Sequence, residues 1–233
     1  MQKKILCTIC ARKNSQGLKN KNIKKIDKKP LFLITLDQAT KSKIFEKIVI
    51  NSDSEVIKKI CKSKDYLFID RNKKLAGDYV SKIDVIRDTL LITEKKFRCK
   101  FDLIVDLDVT SPLRKICDIK EAIKFFTKSN FNNLISGSEA KKNPYFNQII
   151  LNKNKIKIVC KSKKRIVSRQ LAPKIYDLNA SIYIWTRAKL LKSSNLIDSK
   201  TGFFEMKNEK SLDIDTELDF KLVKFILKNG LNK

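Results

Sequence analysis

Ile5-Leu6-Cys7-Thr8-Ile9-Cys10-Ala11 runs directly into Arg12-Lys13-Asn14-Ser15-Gln16-Gly17-Leu18-Lys19-Asn20-Lys21-Asn22. The apolar run reads as a strand buried on both faces, and a buried strand that empties into a polar loop is where open α/β sheets place their ligands. In the loop, Gly17 permits backbone geometry that other residues resist. Ser15 and the loop amides offer donors to phosphate oxygens, while Arg12, Lys21 and Lys19 supply positive charge. GxxxxGK[ST] is absent, so this is not a P-loop, and an ordinary basic surface turn is the competing reading.

Outward from this stretch, amphipathic and apolar segments alternate. A helix over 30–40, with Pro30 in its first turn, has Leu31, Ile34 and Gln38 on its inner face and Leu36 on the flank. A strand over 48–52, a helix over 54–61 and a strand over 66–69 follow. Then come a helix over 81–94 with Ile83, Ile86, Leu90 and Leu91 on one face, a strand over 103–107, a helix over 118–128 and a strand over 133–137. This βαβα order predicts an α/β fold built on a doubly wound, mostly parallel sheet with right-handed crossovers. From 143 to 177 the pattern changes to short alternating runs around a turn at 152–154, which reads as a hairpin insertion. A buried strand over 178–185 and a closing helix over 218–227, with Leu218, Leu222 and Ile226 on one side, complete a single domain over 1–233.

The chain contains no histidine, which removes Ser-His-Asp, Cys-His and His-metal chemistry together. Catalysis must then run on carboxylates, cations and a hard metal. The six cysteines are scattered, and Cys7-x-x-Cys10 has no second pair to complete a zinc site, so they read as reduced, buried apolar residues. The apolar run after Lys3 and Lys4 is too short for a signal peptide or a membrane span, so the protein is expected in the cytoplasm. A net charge of +27 raises a nucleic-acid-binding module as the rival class. Only eight of the 52 basic residues are arginine and the lysines are dispersed, so solvated faces are the preferred reading over a binding stripe.

Near the C-terminus, Asp213 and Asp215 in Leu212-Asp213-Ile214-Asp215 project from the same side if extended, about 6.6 Å apart along the backbone. Two carboxylates so placed can share Mg²⁺, which prefers oxygen ligands and leaves positions for phosphates and water; a solvated edge strand is the bland alternative. Thr216 and Asp219 read as a helix cap with an acid in the first turn, a structural role.

ArgxxSerxGlyLeuxxLysAsn, here Arg12, Ser15, Gly17, Leu18, Lys21 and Asn22, resembles the N-terminal signature of the acylneuraminate cytidylyltransferases, the CMP-sialic acid synthetases. Four further segments resemble that family in the same order. They are Asn51-Ser52-Asp53, Leu75-Ala76-Gly77-Asp78 with Arg71 before it, Thr110-Ser111-Pro112-Leu113-Arg114, and Ser211 to Asp219. The resemblance implies a Rossmann-like nucleotidyltransferase fold and transfer of CMP from CTP to a nine-carbon 2-keto-3-deoxy sugar acid. It also implies a homodimer in which the 143–177 insertion reaches the partner's site. By the same likeness Arg12, Ser15, Gly17, Lys21, Asn22 and Arg71 serve the nucleotide, Asp213 and Asp215 the metal, and Arg169 the acidic sugar, with Lys21, Arg169, Asp213 and Asp215 as the catalytic set.

The chain also departs from the family pattern. Gln16 stands where a lysine is common. Lys82 stands where a serine near the nucleotide is common, leaving Ser81 as the nearby hydroxyl. Asp108-Val109 replaces Gln-Pro; Asp108 reads either as an acceptor for sugar hydroxyls or as a carboxylate that supports the metal or caps the loop. The region from Ser168 to Tyr183 resembles the bacterial branch whose substrates include legionaminic-acid-like sugars. A Kdo-type cytidylyltransferase is the rival enzyme, but its first loop reads differently.

Overall fold

The opening apolar run forms the central strand β1 (Ile5–Cys10), buried along nearly its whole length. The structure, a computed structural model, describes residues 3–14, 17–162 and 165–230. After the first loop come a two-residue ladder of β2 (Lys25–Ile26) and β3 (Lys29–Pro30), then α1 (Leu31–Ser42), β4 (Lys47–Ser52), α2 (Glu55–Ser63) and β5 (Phe68–Asp70). Next are α3 (Lys82–Phe97), β6 (Leu103–Leu107), α4 (Ile116–Lys128), β7 (Asn133–Glu139) and the hairpin β8 (Ile149–Asn152) and β9 (Lys155–Ile158). The chain closes with β10 (Tyr176–Thr186), α5 (Arg187–Lys192), β11 (Thr201–Glu205) and α6 (Glu217–Asn229).

Seven strands form one sheet in the order β11-β7-β10-β6-β1-β4-β5. β1 pairs in parallel with β4 and β6, β4 with β5, and β7 with β11. β10 runs antiparallel between β6 and β7. The expectation of an α/β, mostly parallel, doubly wound sheet therefore holds. Chain order reverses direction across β1, since α1 leads to β4 on one side while β6 lies on the other, and the loop after β1 sits at this switch point.

Alternate side chains of each strand feed two cores. Cys7, Ile9, Val105, Leu107 and Ile184 pack with buried residues of α1, α2, α4 and α6. Leu6, Val49, Ile104 and Trp185 pack with Ile83, Ile86 and Leu90 of α3 and Leu190 of α5.

Several faces differ from expectation. Pro30 caps α1 rather than joining its first turn, and the helix turns Phe32, Thr35, Leu36 and Ala39 inward. Ile34 and Gln38 are half-buried, and Gln38 instead donates to the carbonyls of Pro112 and Arg114 at 2.8 and 2.7 Å. In α3 Leu91 faces solvent. In α6 Phe220 and Val223 are the buried residues, while Leu218 and Leu222 are exposed. Of the cysteines expected to be internal, Cys7 and Cys61 are buried, Cys10, Cys99 and Cys160 are half-buried and Cys117 is exposed; all six are free. α5, β2, β3 and β11 had no counterpart in the sequence reading. Among the described residues no helix is long and apolar enough to cross a membrane.

Candidate active site

The loop after β1 is built by its neighbours. Asn51, Ser52 and Asp53 at the end of β4 act on it as a unit: the Asn51 carbonyl accepts from the Ala11 amide at 2.9 Å, the Ser52 hydroxyl donates to the Ala11 carbonyl, and the Asp53 carboxylate accepts from the Lys13 amide at 2.7 Å. Asn22 then donates to the Arg12 carbonyl at 2.9 Å, after Asn20 enters the turn with a left-handed φ of 57°. Ser15 and Gln16 lie outside the described residues. Gly17 passes so close to the C-terminal acidic segment that a Cβ there would stand 2.3 Å from the Asp215 carbonyl oxygen.

That acidic segment pairs with no strand among the described residues, so the edge-strand alternative does not apply. It docks through the Ile214 amide, which donates to the Thr110 carbonyl at 2.9 Å. A second tie comes from Asn179 in β10. Its side chain accepts from the Ser136 hydroxyl at 2.7 Å and donates to the Ser211 hydroxyl at 2.9 Å, while its carbonyl accepts from the Ser111 hydroxyl at 3.0 Å. The β10 register shifts here and Ala180 takes a left-handed φ of 50°. One irregularity thus joins the Thr110–Arg114 segment to the Ser211–Asp219 segment. Thr216 and Asp219 form the reciprocal cap of α6, as read from the sequence.

These pieces enclose a cavity of about 320 Å³. Arg12, Lys21 and Asn22 come from the first loop, Arg71 and Asp78 from the segment after β5, Lys82 from α3, Asp108 and Thr110 from the end of β6, and Asp213 from the C-terminal segment. Arg12 pairs with Asp78 at 2.6 Å, and Lys21 donates to Asp215 and to the Ile214 carbonyl, each at 2.9 Å. Arg71 is buried and donates to the Asn51 side chain at 2.7 Å and its carbonyl at 3.2 Å.

The acidic wall is more tightly coupled. The Lys82 ammonium lies 2.9 Å from Asp106 and 2.6 Å from Asp108, with the Tyr183 ring centroid 4.7 Å away. Asp106 also accepts from the Thr8 hydroxyl at 2.7 Å, and Asp108 from the Thr110 amide and hydroxyl at 3.0 and 2.9 Å. Burial alone would raise the Asp108 pKa, but Lys82 and these hydrogen bonds outweigh it and hold the carboxyl well below the usual range. Burial likewise disfavours the charged form of Lys82, yet Asp106 and Asp108 raise its pKa and keep it an ammonium.

Asp213 has the opposite environment. Burial first, then the nearby Asp108 charge, push its pKa up to about 6. Its buried Oδ1 has no hydrogen-bond donor among the described residues. A carboxylate oxygen that is desolvated, donorless and directed at other acids fits a hard cation. Among the described residues no group of three or more acidic or cysteine side chains stands ready to hold a metal alone.

Of the residues singled out in the sequence, Arg12, Lys21, Asn22, Arg71, Asp108 and Asp213 are brought together in the cavity lining. Four described ones, Gly17, Ser81, Arg169 and Asp215, are not part of that lining. Asp215 is mostly exposed and partners Lys21. Ser81 caps α3, accepting from the Ile83 amide at 3.3 Å. Arg169 is exposed in the turn Arg169–Leu171 and donates to the Ala140 carbonyl at 3.2 Å. Lys82, Asp78 and Thr110 line the cavity although sequence reasoning assigned them no role. The spacing Asp106-x-Asp108 at the end of an apolar strand carried a signal, since two acids set on one side of a buried strand call for a cation.

Residues 6–230 match the family model described as cytidylyltransferase. The chain is 46% identical over 226 residues to the post-translational flagellin modification protein B of Campylobacter coli, covering 96% of this chain and 95% of that protein. It is 44% identical over 225 residues to the CMP-N,N'-diacetyllegionaminic acid synthase of Campylobacter jejuni, covering 96% and 94%. Among solved structures, a CMP:2-keto-3-deoxy-manno-octonic acid synthetase complexed with CTP superposes with a TM-score of 0.72 over 98% of this chain and 100% of that one. At 15% identity that likeness is one of fold.

Proposed function

The chain belongs to the cytidylyltransferase family, and from that premise we propose that it joins CTP to a nine-carbon 2-keto-3-deoxy sugar acid of the legionaminic type, giving a CMP-sugar and pyrophosphate. The observation that carries this reading is the cavity itself, which sets the cations of the first loop against Asp213, whose buried Oδ1 has no donor among the described residues.

Arg12 and Lys21 exchange their carboxylate partners for triphosphate oxygens, and Asn22 and Arg71 hold the nucleoside. With CTP so oriented, the anomeric hydroxyl of the sugar attacks the α-phosphorus in line and pyrophosphate leaves toward the loop cations. Positioning and charge stabilisation supply most of the acceleration in such transfers, so the absence of histidine is no obstacle. Mg²⁺ would be held by Asp213, with Asp215 acting through Lys21, and would neutralise charge on the phosphates. Asp108 faces the sugar from the end of β6.

The subunit arrangement is part of the proposal. The 143–177 region carries β8 and β9 with both faces exposed, including Ile150, Leu151 and Ile156, and an isolated two-stranded hairpin is marginal in water. A homodimer would cover this surface and carry Arg169 toward the partner's cavity, where a guanidinium suits the sugar carboxylate.

The test is pyrophosphate release from CTP and Mg²⁺ with N-acetylneuraminic, legionaminic, pseudaminic and Kdo acids. Release with a nine-carbon acid, abolished by EDTA, is expected. Silence with all four acids from a folded protein overturns the reading.

A further inference from the structure

We propose that Lys82 is a substrate-contacting residue of this cavity, donating a hydrogen bond to an acidic oxygen, either a CTP phosphate or the carboxylate of the sugar acid. The identity of those two acids rests on the cytidyl-transfer reading, whereas the placement of the lysine does not.

Lys82 is the first residue of α3, where the helix dipole is positive and a cation is unfavourable. Its side chain nevertheless turns to the cavity and places Nζ between Asp106 at 2.9 Å and Asp108 at 2.6 Å. Both carboxylates are fixed independently of it, Asp106 by Thr8 and Asp108 by Thr110. They therefore orient the ammonium rather than the reverse. An ammonium has three donors; one is hydrogen-bonded to Asp108, and Asp106 meets the charge as an ion pair without a hydrogen bond.

A cation serving only to neutralise Asp106, which is wholly buried, would sit beneath the surface with it. Lys82 instead keeps 32% of its side chain exposed and lines the cavity. Arg12 and Lys21 must release a carboxylate before meeting a phosphate, and Arg71 is buried with its guanidinium held by Asn51. Lys82 needs no such exchange. Its remaining donors are held in place before substrate arrives, which lowers the ordering cost of binding. The Tyr183 ring centroid lies 4.7 Å from Nζ.

Removing the lysine alone strands Asp106 as a buried unpaired charge, so Lys82→Met is to be made together with Asp106→Asn and compared with Asp106→Asn alone. Folding is checked by thermal melting. The dissociation constant of CTP is measured by calorimetry with Mg²⁺, and KM and kcat for the active sugar acid by pyrophosphate release. If the contact is a phosphate, CTP binds at least tenfold more weakly in the double variant. If it is the sugar carboxylate, CTP affinity stays within threefold while the sugar's KM rises at least tenfold. Values within threefold for both substrates, in a folded double variant, overturn the proposal and reduce Lys82 to a neutralising cation. Wild-type protein that releases no pyrophosphate with any acid refutes the functional reading first, and the Lys82 assignment falls with it.

Discussion

Replacing Gly17 with alanine tests how the two ends of the chain make one site. The added Cβ would stand 2.3 Å from the Asp215 carbonyl oxygen and 3.3 Å from its carbonyl carbon, where ordinary contact begins near 3.4 Å. Backbone must therefore yield by about 1 Å, because no flexible side-chain tip is available to move aside. Both routes of escape damage the cavity. Moving the acidic segment pulls Ile214 from Thr110 and Asp215 from Lys21, and moving the first loop displaces Arg12 and Lys21. Overpacking of this kind costs about 1–3 kcal/mol of stability, and a shift of about 1 Å in a phosphate-positioning group costs about 100-fold in turnover. Pyrophosphate release and thermal melting on Gly17→Ala read both quantities. A variant within twofold of wild type in kcat/KM, with an unchanged melting temperature, would refute the close approach of loop and acidic segment.

Asp213→Asn should separate stability from activity. Because the folded-state pKa is raised to about 6, the ionised carboxylate destabilises the fold above that pH and not below the ordinary Asp value. In EDTA at pH 7 the asparagine variant is expected to melt higher, by up to about 2–3 kcal/mol of stability, an advantage that shrinks as pH falls from 6 to 4, while turnover with Mg²⁺ is lost. Equal activity would remove Asp213 from the metal site. Asp215→Asn is expected to lose activity without that gain in stability, since Asp215 is mostly exposed and acts on Lys21. Glu94 accepts from Arg187 at 2.8 and 2.9 Å and from the Phe101 amide at 3.1 Å. Burial opposes its ionisation, but these partners prevail and lower its pKa. Glu94→Gln should cost about 2 kcal/mol at pH 7, or about 4–8 °C, and the difference should shrink as pH falls from the ordinary glutamate value of about 4.3 through the lowered folded-state pKa. A gap at pH 3 as large as that at pH 7 would contradict the assignment. Leu151→Glu with Ile156→Glu should give a folded monomer by light scattering; an unchanged oligomeric state would exclude the hairpin as the subunit contact.

The strands and most helices were legible because buried parallel strands read as short apolar runs between amphipathic segments, and Leu103–Leu107 formed with the expected bounds. Direction was not legible. β10 is apolar on both faces whichever way it runs, so nothing in 178–185 marked it as antiparallel. The inner faces of α1 and α6 were misassigned because each carries apolar residues on more than one side, and packing chose Phe32, Thr35 and Val223 over Ile34 and Leu222. For the site, motif positions led to the loop, Arg71 and Asp213. Pairings between distant segments did not show: Lys82 with Asp106, Arg12 with Asp78, and Lys21 with Asp215 each depend on the sheet to bring them together. Ser81 and Lys82 are adjacent, and only the helix start decides which one faces inward.

The slot occupied by β10 bears on how the molecule is made. β6 and β7 are joined through α4 and lie two places apart in the sheet, with an edge of each left open until a strand made some forty residues later enters between them. A chain emerging from the ribosome can assemble β1, β4, β5 and β6 early, yet it carries two unpaired edges, the condition that invites intermolecular pairing, until residue 186 has been made. Entry of β10 seals that gap and, through Asn179, fixes the anchor on which Ser211 and the acidic segment later settle. The candidate cavity is thus among the last features of the fold to exist, and a truncated or stalled chain would have the first loop but nothing for it to close against.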